Sequence, residues 1–226
     1  MTRQAVALAV QSAQRERAAM YEAAGAVREA LFGNVGEGRR GATAALALSS
    51  ARDVQYGAAV ALALSGDIAR AQVLANDLDT RFPDDTFVRF TDLPTLRALF
   101  ALNRGGAPEA LNLLHIAAPR DLVVQGGWFA SFGNLYTAYV RGVAWMAAKQ
   151  GAEAATEFQK IVDHPGIVLN DPVAVVARLQ LARALVLSGE KERAVVVYRN
   201  FLSHWKDADA GIPILEQANA EYARLR

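Results

Sequence analysis

The sequence predicts an all-α protein, a single domain over residues 1–226 built as an array of about five antiparallel helix hairpins closed by a capping helix. Three observations lead there. About a fifth of the 226 residues are Ala, the strongest helix former and the residue that lets helices approach most closely. The stretch Ala61–Leu78 recurs as Ala184–Phe201, with eight of 18 positions identical at an offset of 123. Glycines punctuate the chain at the spacing of hairpin turns, at Gly33, Gly66, Gly105, Gly151 and Gly189.

Taken in order, residues 1–18 read as an N-terminal helix. Its apolar run, Ala5 to Val10, is six residues long and leads into Arg15, Glu16 and Arg17. That is too short for a signal-peptide core, and no window reaches the roughly 18 apolar residues of a membrane span. Such a lead-in also suits a piece of a longer protein. The first hairpin runs to Phe32, turns at Gly33-Asn34 and returns through Ala44-Ala45-Leu46. The second and the fifth are the repeated pair. In each, a helix ends at Leu64 or Leu187, and Gly66 or Gly189 takes the left-handed conformation that closes it. Asp67 or Glu190 then begins the next helix, where the macrodipole favours negative charge. Ala71 or Ala194 lets the two helices cross closely. The third hairpin is Leu96 to Asn103, Gly105-Gly106, then Pro108 to Leu114; the fourth is Tyr136 to Lys149, Gly151, then Ala154 to Ile161. Residues 212–226 form the capping helix, with Pro213 in the first turn and Leu215, Ala218, Tyr222 and Leu225 on one stripe. Pro119 to Asn134 is a long aromatic-bearing loop. It either plugs a gap between hairpins or forms the lip of a groove.

The small-and-large pattern resembles the tetratricopeptide repeat. From Arg52 it is carried by Ala59, Leu62, Gly66, Ala71 and Pro83, and from Val175 by Leu181, Ala182, Leu185, Gly189, Ala194, Tyr198 and Phe201. From Leu135 it is carried by Gly142, Trp145, Ala154, Phe158 and Ile161. The repeats from Ala19 and Thr91 rest on Ala45 and on Ala98, Ala101, Ala110 and Leu114. The starts at 19, 52, 91, 135 and 175 make a degenerate array with insertions. This resemblance implies a right-handed superhelical solenoid.

Longer strings resemble the C-terminal repeat region of acidobacterial serine/threonine protein kinases and of sibling winged-helix regulators. They are Ala47-Leu48 with Arg52 to Gly57, Arg81 to Thr86, Tyr139 to Gly142, Glu157 to Asn170, and Trp205 to Asp209 with Glu221-Tyr222. That resemblance implies a sensor or docking module lying after an effector domain, often beyond a membrane span, and so allows an extracytoplasmic place. The kinase and winged-helix motifs are themselves missing from this chain, so neither activity is carried over.

Catalytic signatures are few. Zero Cys removes thiolate metal sites and thiol nucleophiles. With 24 Lys+Arg against 23 Asp+Glu, the net charge of +1 gives no global case for nucleic acid. Gly36-Glu37-Gly38-Arg39-Arg40-Gly41 spells a dinucleotide fingerprint without the preceding strand that motif needs, so it reads as a turn and the start of a helix. His115, His164 and His204 lie too far apart for a zinc helix. Asp163-His164 sits at a helix end, where His serves as a dipole partner. Asp207 and Asp209 fall short of a calcium loop and read as caps of the last helix.

The expected function is therefore a non-catalytic protein-interaction or scaffold module with no cofactor. Its partner is a protein or peptide, self-association included; the alternatives are a free-standing self-assembling or adaptor repeat protein and a small-ligand or peptide receptor using an aromatic groove. The candidate groove lies on the inner faces of the first helices, at Tyr56, Leu99, Tyr136, Tyr139, Met146, Leu179 and Arg183, with Trp128 from the long loop. Either these residues line an open, apolar groove suited to an amphipathic helix, or they pack against neighbouring repeats.

Overall fold

In a computed structural model, residues 2–123 and 135–225 are described. Every regular element among them is helical. The helices are α1 (Thr2–Gln11), α2 (Arg15–Leu31), α3 (Val35–Leu48), α4 (Arg52–Leu64), α5 (Ile68–Arg81), α6 (Leu93–Asn103), α7 (Ala107–His115), α8 (Tyr136–Ala147), α9 (Gly151–Asp163), the single turn α10 (Pro165–Val168), α11 (Val173–Leu187), α12 (Lys191–His204) and α13 (Pro213–Leu225). None is long and apolar enough to cross a membrane.

The hairpins α2–α3, α4–α5, α6–α7, α8–α9 and α11–α12 pack internally and on their neighbours. Their turns follow from residue type. Gly33, Gly66, Gly105 and Gly189 have φ between 77° and 91°, a region that costs side-chain-bearing residues. The Asp67 carboxylate accepts the Arg70 N–H at 3.4 Å and caps α5. The fourth turn differs from the expected one. There Lys149 takes the left-handed conformation at φ 63°, and Gly151 serves packing instead: a Cβ on it would lie 2.5 Å from the Ser188 nitrogen. Gly38 meets the matching turn of α4 in the same way, 2.7 Å from the Ser65 hydroxyl, and Gly41 would touch Ala26 at 2.9 Å. The dinucleotide-like glycines are thus all inside α3, and two of them let it lie close against its neighbours.

Two boundaries depart from the expected ones. The N-terminal helix stops at Gln11, after which Ala13 at φ 56° turns the chain into α2. The first hairpin therefore begins at Arg15. Before α6, a π-helical turn covers Val88–Asp92, with the Leu93 N–H donating to the Val88 carbonyl. Pro94 explains it: a proline has no N–H to offer the carbonyl four residues back, so the helix widens by one residue there.

The core is a ladder of small residues crossing large ones. Val54 to Ala63 of α4 are all buried. Ala71, Ala194 and Ala154 are sealed at the crossings, and Phe100, Phe158, Leu62 and Leu78 fill the layers between. Each buried large side chain contributes about 1.5–3 kcal/mol. An elongated superhelix would hold its first and last hairpins apart, whereas here they meet. The first helices α2, α4, α6, α8 and α11 contact one another in sequence, and α11 returns to α2. Phe32 stands edge-on to Trp205 at 5.3 Å, and the Ile214 N–H donates to the Phe32 carbonyl at 3.2 Å. That bond supplies a partner for the start of α13, where the sequence pointed to Asp207 and Asp209. Those two acids are exposed.

Candidate functional site

The inner-face residues come together, but as an interior. Tyr56, Leu99, Tyr136, Tyr139 and Leu179 are 3%, 8%, 2%, 6% and 0% exposed. Of the two alternatives, burial at these five positions agrees with packing among the repeats rather than with an open groove. Tyr139 lies 5.9 Å from Phe158, a tilted ring pair made possible by Gly142, where a Cβ would fall 2.6 Å from the Phe158 ring. Met146 and Arg183 are half-buried, and Trp128 lies outside the described residues. Burial falls towards the C-terminal ends of the first helices. Leu102, Val143 and Met146 are half-buried there, and Val186 is 40% exposed.

The interior is polar at the other end of these helices. The Tyr136 hydroxyl donates to the Asp171 carboxylate at 2.8 Å, and the same carboxylate accepts the Val173 N–H at 2.9 Å at the start of α11. Asp92 and Thr95 of the third hairpin are buried nearby. Burial pushes the Tyr56 and Tyr136 hydroxyls well above the ordinary phenol range, and the neighbouring carboxylates reinforce the shift. These phenols stay protonated through the physiological range.

A second buried network was not visible in the sequence. Arg141 forms ion pairs with Asp121 and, at 2.9 Å, with Glu157; Lys160 reaches the same two acids at 2.8 and 3.1 Å. Burial works against the charges of Arg141 and Glu157. The two cations nevertheless hold Glu157 below the usual carboxylate range, and the two acids raise Arg141 further. The network ties α8 and α9 to the segment after α7. Only the spacing of Glu157 and Lys160, three residues apart on one helix, hinted at it.

The third polar cluster surrounds the capping helix. The Arg183 guanidinium donates to both Glu221 oxygens at 2.9 and 2.8 Å and to Gln217 at 3.1 Å. The Tyr198 hydroxyl donates to Glu221 at 2.8 Å, and its ring lies 6.2 Å from that of Tyr222. Arg183, expected to line the candidate groove, is therefore engaged by α13.

The histidines do no joint work. His164 Nδ1 donates to the Lys160 carbonyl at 2.7 Å and His204 Nδ1 to the Asn200 carbonyl at 2.7 Å, each closing the end of its own helix. Asp163 accepts instead from Gln159. Among the described residues, no group of three or more His, Asp or Glu is placed to hold a metal ion. Comparison with family models, with curated proteins and with solved structures gives no match to this chain.

Proposed function

We propose that the chain is a non-catalytic protein-interaction module of tetratricopeptide type, the docking or sensory part of a bacterial signalling protein. The observation that supports this reading is the repeated construction itself. Five successive hairpins cross at small residues, so each offers its outer helix and the open end of its inner helix as surface rather than as catalytic scaffold. The mechanism is one of shape: an extended apolar and polar surface takes a partner, and binding repositions whatever the module is joined to. On the inner face, the accessible part is the C-terminal rim at Leu102, Val143, Met146 and Val186, which suits an apolar side of a partner helix.

The test is capture of a partner from native lysate by the immobilised chain, with the variant Met146→Asp/Val186→Asp as control. The helical melt of the variant is recorded alongside, since Met146 is half-buried against the core while Val186 is 40% exposed. Loss of capture is the expected result. Undiminished capture by the variant would remove the inner rim as the docking face.

A further inference from the structure

The second and fifth hairpins carry matching sequences, so their differences show what each has been fitted to. Two differences point at one spot. Val60 on the inner face of α4 corresponds to Arg183 on α11, and Ala75 on α5 corresponds to Tyr198 on α12. Val60 and Ala75 are each 1% exposed and belong to the apolar core. Arg183 and Tyr198 instead converge on a single carboxylate, that of Glu221 on α13, at 2.8–2.9 Å. The last hairpin thus forms a groove built to read an acid on a helix laid across it.

The occupant of that groove is held lightly. Helix α13 packs on α12 and is tethered by the exposed stretch 206–211, with Gly211 at φ 81°. Three of its residues, Ile214, Ala218 and Tyr222, are buried, with Leu215 and Leu225 half-buried beside them, and its N-terminal end rests on the first hairpin through the Ile214–Phe32 backbone hydrogen bond and the contact of Pro213 with Gly33. A terminal helix with three buried residues, joined through a largely exposed segment, is the part of a fold that opens locally.

We propose that the groove between α11 and α12 is a helix-docking site that α13 occupies in cis, and that a partner's amphipathic helix takes it by displacing α13. The partner helix carries apolar residues at the four-residue spacing of Ile214, Ala218 and Tyr222, and a carboxylate one residue before the last of them. Arg183 and Tyr198 recognise the carboxylate, and the last apolar residue lies against the Tyr198 ring of α12 as Tyr222 does. This deepens the interaction-module reading and rests on it. The tether gives α13 an effective concentration in the millimolar range, so a free helix competes poorly until the cis contact is weakened.

The experiment uses the full chain and a labelled synthetic peptide with the sequence of residues 211–226, read by fluorescence anisotropy. Weak binding to wild type is expected, with binding at least tenfold tighter to Glu221→Gln, whose own α13 has lost the carboxylate while the peptide keeps it. Ile214→Ala, which loosens the far end of α13, gives the same direction of change. Adding Arg183→Val and Tyr198→Phe to Glu221→Gln abolishes the gain. Equal affinity for wild type and Glu221→Gln, no binding to either, or a gain that survives the Arg183 and Tyr198 changes would each overturn the proposal. The peptide reports on the end groove alone, whereas lysate capture with the Met146 and Val186 variant reports on the inner rim. Failure of one is therefore distinguishable from failure of the other.

Discussion

Hairpins α4–α5 and α11–α12 are written with the same letters at eight of 18 positions, and they turn alike. Gly66 and Gly189 adopt φ 77° and 84°, and Ala71 and Ala194 are both fully buried. A glycine of the preceding hairpin also presses on each turn, Gly38 on Ser65 and Gly151 on Ser188. The hairpins part company on the faces they turn to the next element. The second hairpin buries a valine and an alanine, Val60 and Ala75, where the fifth turns an arginine and a tyrosine, Arg183 and Tyr198, to α13. Positions that make the hairpin are kept in both copies, and positions that choose its neighbour differ. A repeat can therefore be recognised from its interior while its role in binding is set by a handful of outward side chains.

The largest expected effect tests the shared turn. Gly151→Ala pushes a Cβ against backbone, which cannot yield, and costs about 3 kcal/mol in urea unfolding. Gly38→Ala meets mainly a serine side chain and costs about 1 kcal/mol. Equal costs would show that the two turns are approached differently from the geometry described here.

Next comes the contact that distinguishes the fifth hairpin. A double-mutant cycle between Arg183 and Glu221 should show a coupling of about 1 kcal/mol, reduced from a buried pair because both side chains are a fifth or more exposed. The corresponding Val60→Ala change in the second hairpin costs about 2 kcal/mol through lost packing, with no coupling to any carboxylate. A coupling near zero at Arg183 would remove the specialised groove.

The buried network of the fourth hairpin adds a pH signature to those of the repeated hairpins, where the carboxylates of Asp77 and Glu190 are also held low, by Gln55 with Arg81 and by Arg193. Glu157 is held below its ordinary value of 4.5 by Arg141 and Lys160, against burial. A carboxylate whose folded pKa is depressed contributes stability that is fully present above its unfolded pKa and is lost as pH falls through the folded value. Stability should therefore be flat above about pH 4.5 on this account and fall below it. Glu157→Gln should flatten that acid limb in melts recorded from pH 6 to 3, and an unchanged limb would contradict the assignment.

The smallest effect concerns the start of the second helices. Asp67→Ala removes a side-chain cap and costs about 0.5–1 kcal/mol. Glu190 makes no such cap, pairing instead with Ser188 and Arg193 on the surface. Glu190→Ala should be the milder change of the two by thermal melting.

The hairpins were legible in the sequence because their signals are local. A glycine that must adopt positive φ, an acid after it and an alanine at the crossing lie within six residues of each other. The closure of the array was not legible, since Phe32, Trp205 and Ile214 meet across most of the chain and no local pattern pairs them. The same holds for Arg141 with Asp121 and Glu157. The π turn before α6 follows from Pro94 but needs the helix to begin earlier than the repeat pattern suggests. Arg183 was recognised as an inner-face cation, yet its partner Glu221 lies 38 residues away on a helix that reads from sequence as a plain cap. Apolar periodicity marks Tyr56, Tyr136 and Tyr139 as inner-face residues whether a groove is open or filled. Their burial in three dimensions separates the two cases, and no local pattern encodes it.

Native-state hydrogen exchange with residue-level readout tests the central contrast most directly. If the fifth hairpin holds α13 as an exchangeable partner, amides of α13 exchange through local opening, well ahead of those in α4, α5, α11 and α12, and Glu221→Gln speeds α13 alone. Exchange of α13 together with α11 and α12 in one cooperative event would show that it is an integral part of the last hairpin, and the account would fail.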